Sequence, residues 1–187
     1  MRVISGKARG RKLKRVPGDS TRPIMDRVKE NLFNILGDFV LASRWLDLFA
    51  GTGQVGIEAL SRGASEVIFV DNVRAAMRTI QDNLRHTQLT SSATTLHMDA
   101  FRYLGSPKGA PFDVIYVAPP QYHEMWEKVM VTVDQRPFDY LDSNGILIVQ
   151  IDPKEYRDLE LSHLVKYDQR RYGSTLLCFY ELPDNVT

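Results

Sequence analysis

The sequence has one cysteine, Cys178, in 187 residues. That excludes an internal disulfide and a zinc site built from cysteines alone. Set within "TLLCFYEL", the thiol reads as a small core side chain. The histidines, His86, His97, His123 and His163, are scattered at spacings that gather no metal site. No apolar run approaches the roughly 18 residues that a bilayer crossing needs. The basic N-terminus lacks the apolar stretch of a secretory signal, so a reducing cytoplasm is the expected location. No Gly-Lys-Ser/Thr occurs, which excludes a phosphate-cradling P-loop. Internal repeats, low-complexity segments and long linkers are also missing. The expectation is a single domain over 1–187, with 1–22 as a basic extension.

What is present begins with charge. The net charge of +1 hides an asymmetry. Residues 1–30 carry ten Lys/Arg and three Asp/Glu, while the rest of the chain is acidic on balance. A basic head on an acidic body points to an anionic partner, with phosphate backbones the first candidate. Val3, Ile4, Leu13 and Val16 are interspersed with the charges. "RVISGKARGRKLK" therefore reads as a small β-hairpin or ribbon turned by Gly6 and Gly10, not as a solvated tail.

The next stretch, "TRPIMDRVKENLFNILG", places Met25, Val28, Leu32, Ile35 and Leu36 at helical spacing. Pro23 suits its first turn and Gly37 its stop. From there short apolar runs alternate with helical patterns. Strands are expected at 44–50, 66–71, 93–99, 112–118 and 145–152. Helices are expected over "QVGIEALSR", "NVRAAMRTIQDNLRHTQL" and "HEMWEKVMVTV", with a helical turn around Phe101 to Leu104. Near-continuous apolar strands separated by helices predict a parallel sheet covered on both faces. Residues 163–182 hold two strands around a short polar connection. The fold class is thus α/β, a mostly parallel seven-stranded sheet with a C-terminal antiparallel hairpin and an N-terminal ribbon plus helix. Trp45 and Trp126 are expected to pack inside it.

In doubly wound sheets ligands bind beyond the carboxyl ends of the strands. Strand one delivers "DLFAGTGQVG", with Asp47, Gly51, Gly53 and Gly56. The second strand ends in Asp71-Asn72, the third in Asp99-Ala100, and the fourth in Ala118-Pro119-Pro120. The glycines admit sharp turns and a ligand close to the backbone. An acid at the second strand end suits a ribose diol, and one at the third suits the exocyclic amine of adenine. Asp47 beside the glycines suits a cation and would repel a pyrophosphate. Adenosine joined to an amino-acid-like cation describes S-adenosylmethionine better than NAD.

These residues resemble class I, Rossmann-like S-adenosylmethionine-dependent methyltransferases. More narrowly, the chain resembles the bacterial RsmD family, which methylates a guanine N2 amine in small-subunit (16S) ribosomal RNA. The likeness is carried by "MRVISGKARGRKLK", "STRPIMDRVKENLFNIL", "LDLFAGTGQVGIEALSRGASEVIFVD" and the "APPQY" turn. It implies that Asp47, Gly51 and Gly53 hold the methionine moiety, Asp71 the ribose hydroxyls, and Asp99 with Ala100 the adenine edge. Phe49 and Asn72 belong to the same cofactor-binding set. Thr21, Arg22 and Pro23 would close over the pocket. Arg9, Arg11, Lys12, Lys14 and Arg15 would meet the phosphates of ribosomal RNA or of an assembling small subunit, with no metal and no membrane involved.

One departure stands out. The family's turn is Asp/Asn-Pro-Pro-Tyr; here Ala118 replaces the acid or amide and Gln121 intervenes before Tyr122. The catalytic set implied is Ala118, Pro119, Pro120, Gln121 and Tyr122. The Pro119 carbonyl remains to accept an amine proton, Tyr122 can stack on a base, and the Gln121 amide can swing toward the vacant position. Two alternatives stay open. The chain could be a non-catalytic RNA-binding protein that keeps a cofactor pocket. It could also be a methyltransferase for another amine, on DNA adenine or protein glutamine.

Overall fold

In the computed structural model, residues 1–18, 23–107 and 109–183 are described. Seven strands in a mixed sheet, with helices between them, give the α/β architecture expected. The chain divides into two compact units, Met1–Ala100 and Phe101–Thr187.

The first unit opens with the basic ribbon. Instead of a laddered hairpin it makes a single antiparallel bridge, Arg2 to Lys12. What orders it is its seat on the unit. Val3, Ala8, Leu13 and Val16 are buried. Lys7 N donates to Ser61 O at 2.8 Å, and Ala8 N to Ser61 Oγ at 2.9 Å. Gly6 lies so close that a Cβ there would fall 1.8 Å from Ser61 O. The glycine is thus a point of contact as well as a turn.

Helix α1 spans Asp26–Leu36 and buries Val28, Lys29, Leu32, Phe33 and Leu36. Two expected members of its apolar stripe face out instead: Met25 is 57% and Ile35 38% exposed. Met25 is the extended N-cap residue, so Pro23 precedes the helix rather than starting it. Ile35 sits at the margin of a buried face centred between Lys29 and Leu32. Strand β1 (Arg44–Leu48) pairs in parallel with β2 (Glu66–Asp71), and β2 with β3 (Ala93–His97). The crossovers are α2 (Gln54–Ser61) and α3 (Arg74–Thr87). Every residue of α2 is buried. Gly56 permits this, because a Cβ there would meet the Phe69 ring of β2 at 2.4 Å. Trp45 is fully buried and stacks on Phe33.

The second unit begins at Phe101, one residue into the short helix α4 (Ala100–Leu104). Strand β4 (Phe112–Val117) pairs in parallel with β5 (Leu141–Ile151), which starts four residues earlier than its apolar run suggests. Residues 142–144 are polar and exposed, so hydrophobicity gave no sign of them. Helix α5 (Met125–Gln135) connects the two strands and buries Trp126. Strands β6 (Val165–Tyr172) and β7 (Thr175–Glu181) form the expected hairpin, and β7 also pairs antiparallel with β5. Cys178 is buried in β7, where desolvation pushes its thiol up to about 11.

Candidate active site

The carboxyl ends of β1 and β2 build an acidic, glycine-lined cradle in the first unit. After Leu48 the chain passes through left-handed conformations at Phe49 (φ 60), Gly51 (φ 55) and Gly53 (φ 74). Gly53 is the N-cap of α2. A Cβ on it would come within 3.1 Å of the Ile80 side chain, a tight approach, and the positive φ strains any side chain there. Gly51 N donates to Asp71 Oδ2 at 2.8 Å, and Val73 N to Asp71 Oδ1 at 2.8 Å. A carboxylate has about four lone-pair positions, so each Asp71 oxygen retains capacity to accept a hydroxyl.

Asp47 is only 2% exposed, and its Oδ2 accepts Gly56 N at 3.2 Å. Burial pushes its carboxyl well above the ordinary range; the Gly56 N–H opposes this, and the nearby Asp71 charge adds to it. Two acids at neighbouring strand ends, one of them desolvated, favour a ligand that brings positive charge. Asp99 is exposed and Ala100 buried just beyond β3. His97 Nε2 lies 3.0 Å from Asn72 O and Met98 N donates to Asp71 O at 3.0 Å, tying the second and third strand ends together. Asp47, Gly51, Gly53, Asp71 and Asn72 are thus gathered by the β1 and β2 ends, with Phe49 in the same turn. A ribose, an ammonium and a sulfonium all suit this donor set.

Two polar side chains that the sequence did not single out anchor this cradle. Asn83, fully buried in α3, donates through Nδ2 to Thr52 O at 3.0 Å and to Lys14 O at 3.1 Å. Its Oδ1 accepts Lys14 N at 2.8 Å. One amide therefore holds both the basic ribbon and the glycine turn. Gln54 donates to Ile24 O at 3.0 Å, joining the turn to the segment that follows Pro23. The signal for Asn83 was visible in outline: a polar residue on the Ala76, Ile80 and Leu84 face of a helix.

The ribbon itself is clamped by Glu58. This carboxylate is fully buried, accepts Ile4 N at 2.8 Å and Ser5 N at 3.0 Å, and pairs with Arg62 at 2.8 Å and Lys29 at 3.4 Å. Lys29 also donates to Arg2 O at 2.6 Å; burial lowers its pKa, and Glu58 and Asp26 oppose that shift. Of the five cations expected to meet RNA, two are engaged within the protein. Arg11 donates to His86 O and to Gln88 Oε1, and Lys14 pairs with Asp82 at 3.0 Å. Arg9, Lys12 and Arg15 are exposed and make no side-chain ion pair among the described residues. Thr21 and Arg22 lie outside the described residues, and Pro23 is half-buried.

In the second unit β4 runs out into Ala118, Pro119, Pro120, Gln121 and Tyr122. Ala118, Pro119 and Gln121 are half-buried, and Pro120 is exposed. Tyr122 takes a left-handed conformation (φ 63) and is 63% exposed. Its backbone N donates to Glu155 Oε2 at 2.7 Å, and its phenol to Asp152 Oδ2 at 3.3 Å. Neither Asp152 nor Glu155 was picked out from the sequence, because both lie some thirty residues beyond the turn that they hold.

A model of the family described as conserved hypothetical protein 95 matches residues 1–181. The chain belongs to this family. It is 37% identical over 183 residues to YlbH of Bacillus subtilis (strain 168), spanning 97% of this chain and 98% of that one. It is 38% identical over 147 residues to ribosomal RNA small subunit methyltransferase D of Escherichia coli (strain K12), spanning 79% of this chain and 69% of that one. The solved structure of yhhF from Escherichia coli superposes with a TM-score of 0.85 at 28% identity, over 97% of both chains. An RNA methyltransferase from Salinibacter ruber, solved with S-adenosyl-L-homocysteine, shares the fold at a TM-score of 0.64 and 12% identity over 89% of this chain and 97% of that one. The expected family and the Rossmann-like methyltransferase fold are both borne out.

Proposed function

We propose that this protein uses S-adenosylmethionine to methylate the exocyclic N2 amine of a guanine in small-subunit ribosomal RNA. The substrate is ribosomal RNA or an assembling small subunit, met in the cytoplasm, and the two units act as one methyltransferase domain extended by the basic residues 1–22. The observation that carries this reading is the paired acids: Asp47 buried at the end of β1, and Asp71 bound to the Gly51 amide at the end of β2. Among the described residues no helix is long and apolar enough to cross a membrane.

S-adenosylmethionine, when bound, supplies an electrophilic methyl group on a sulfonium. Asp47 meets its ammonium end, Gly51 and Gly53 let the backbone approach, and Phe49 lines the turn. Asp71 accepts the ribose hydroxyls, with Asn72 beside it; Asp99 and Ala100 meet the adenine edge. On the substrate side the Pro119 carbonyl accepts an amine proton and helps localise the nitrogen lone pair, while Tyr122 stacks on the base. Alignment supplies much of the rate, because the methyl group is intrinsically reactive. The acceptor missing at Ala118 costs about 3 kcal/mol, roughly a hundredfold in rate. That is a slower enzyme with the same chemistry, and Gln121 can recover part of the loss.

Ala118 also favours a second reading, an RNA-binding protein that holds the cofactor without using it. The two are separated by incubation with methyl-labelled S-adenosylmethionine and naked 16S rRNA or small subunits, followed by mass spectrometry of the nucleosides. N2-methylguanosine is expected. Cofactor binding with no transfer on either substrate refutes the enzymatic reading, and label on another base refutes the guanine assignment.

A further inference from the structure

Tyr122 is held in place more firmly than an exposed residue requires. A bulky residue at positive φ is uncommon, since its Cβ crowds the neighbouring carbonyl. Burial does not offset that cost here, because 63% of the residue is exposed. The support comes from the segment after β5. Asp152, Pro153, Lys154 and Glu155 form a 3-10 turn that Asp152 Oδ1 caps by accepting Lys154 N at 2.9 Å, and Glu155 N closes it on Asp152 O at 3.0 Å.

This turn directs two carboxylates at one tyrosine. Glu155 Oε2 takes its backbone N–H, and Asp152, only 7% exposed, takes its phenol. Glu155 has no ion pair among the described residues, and its other oxygen, Oε1, is buried without a hydrogen-bond partner. Among the described residues, charge pairing does not account for this carboxylate. Among the same residues, its side-chain hydrogen bond to a neighbouring segment is the one from the Tyr122 amide.

We propose that Glu155 and Asp152 are positioning residues of the base-binding turn. They fix Tyr122 at its backbone and at its phenol, and so hold the ring as a preorganised stacking surface for the target base. The need for them follows from Gln121. An added residue between the diproline and the tyrosine changes where an unconstrained ring would point, and at this place Tyr122 takes a left-handed conformation (φ 63) fixed by both carboxylates. Stacking platforms gain from such rigidity, because the ring loses no freedom when the base arrives. This inference deepens the proposed methyl transfer and rests on it.

The test compares steady-state methylation of small-subunit rRNA by wild-type protein, Glu155→Ala, Glu155→Gln, Tyr122→Phe and Tyr122→Gly. Cofactor affinity is followed by calorimetry and stability by thermal melting. Misaiming the ring is expected to lower kcat/KM for RNA by about tenfold to a hundredfold in Glu155→Ala. Glu155→Gln should recover most of this, because the amide oxygen accepts the same N–H. Tyr122→Phe, which loses only the phenol contact, should fall between them. Tyr122→Gly suits φ 63 and should melt no lower than wild type, yet lose methylation about a hundredfold. S-adenosylmethionine affinity should stay within twofold throughout. RNA carrying 2-aminopurine at the target position should be quenched by wild-type protein and less so by Glu155→Ala. An active wild type with equally active Glu155→Ala and Tyr122→Gly overturns the inference and leaves the proposed function standing. Parallel losses in melting temperature and activity for both Glu155 variants, without rescue, also overturn it. A wild type that transfers no methyl group to RNA overturns the function itself.

Discussion

Replacing Asp47 by Asn separates what the cradle costs the empty protein from what it gives the ligand. Asp47 is 2% exposed, and the environment that raises its carboxyl above the ordinary value of 3.8 is burial first and the Asp71 charge second, against one Gly56 N–H. The folded state therefore holds this proton at pH values where the unfolded chain has released it. Where the native state binds more protons, stability falls as pH rises. The penalty is absent below the unfolded pKa and grows until the folded pKa is passed. Asn keeps an oxygen for the Gly56 N–H and removes the charge. Asp47→Asn should thus melt higher than wild type at pH 8 without ligand, and the difference should vanish toward pH 3.5. Ligand binding should show the reverse. One charge-assisted hydrogen bond is worth about 1.5–3 kcal/mol, so S-adenosylmethionine affinity should fall by about tenfold to a hundredfold. Calorimetry in buffers of different ionisation enthalpy adds a third measurement. Wild type should release protons on binding below the raised pKa, because a cation stabilises the carboxylate, and Asp47→Asn should not. A variant that binds as tightly as wild type, or melts lower at pH 8, would refute the reasoning.

Asn83→Ala removes a partner from the buried Thr52 O, a loss costing about 1–3 kcal/mol, and from both part-buried backbone groups of Lys14. It should lower the melting temperature and weaken both cofactor and RNA binding, whereas a loss confined to one ligand would mean that the amide does not join ribbon and turn. Glu58→Gln breaks a buried pair with Lys29 and weakens the hold on Ile4 and Ser5. Such changes cost about 3–5 kcal/mol, and proteolysis within residues 1–18 should accelerate; unchanged cleavage would show that the ribbon is seated by its apolar residues alone. Neutralising Arg9, Lys12 and Arg15 should reduce the slope of log K against log salt by about 2 units for single-stranded RNA. Neutralising Arg11 and Lys14 should change that slope less, since both are engaged with α3 and its C-cap residue, and an equal change would contradict those pairings.

The parts of this fold that were legible share one property: their signal lies within a few residues. Apolar runs marked the strands, and the run at Glu66–Asp71 is matched residue for residue by β2. The acids that end the first two strands stood out because a charge directly follows or interrupts an apolar stretch. The parts that were not legible are polar side chains whose partners lie far along the chain. Glu58 meets Ile4 and Ser5 across more than fifty positions, Asn83 meets Lys14 across 69, and Asp152 and Glu155 meet Tyr122 across about thirty. A buried polar group is affordable only when donors and acceptors match, and the match exists only after folding, so no local pattern announces it. The same limit explains the ribbon. Its basic residues read as one free electrostatic surface, but Arg11 and Lys14 face acceptors on α3 and its C-cap residue that the sequence could not align with them. The consequence is mechanical. Asn83 grips Lys14 and Thr52 with one amide, so if the ribbon meets RNA as proposed, the turn between Gly51 and Gly53 shares an anchor with the RNA-binding segment. Binding free energies are reciprocal: if RNA tightens that turn, S-adenosylmethionine must tighten RNA by the same factor, and the coupling should disappear in Asn83→Ala.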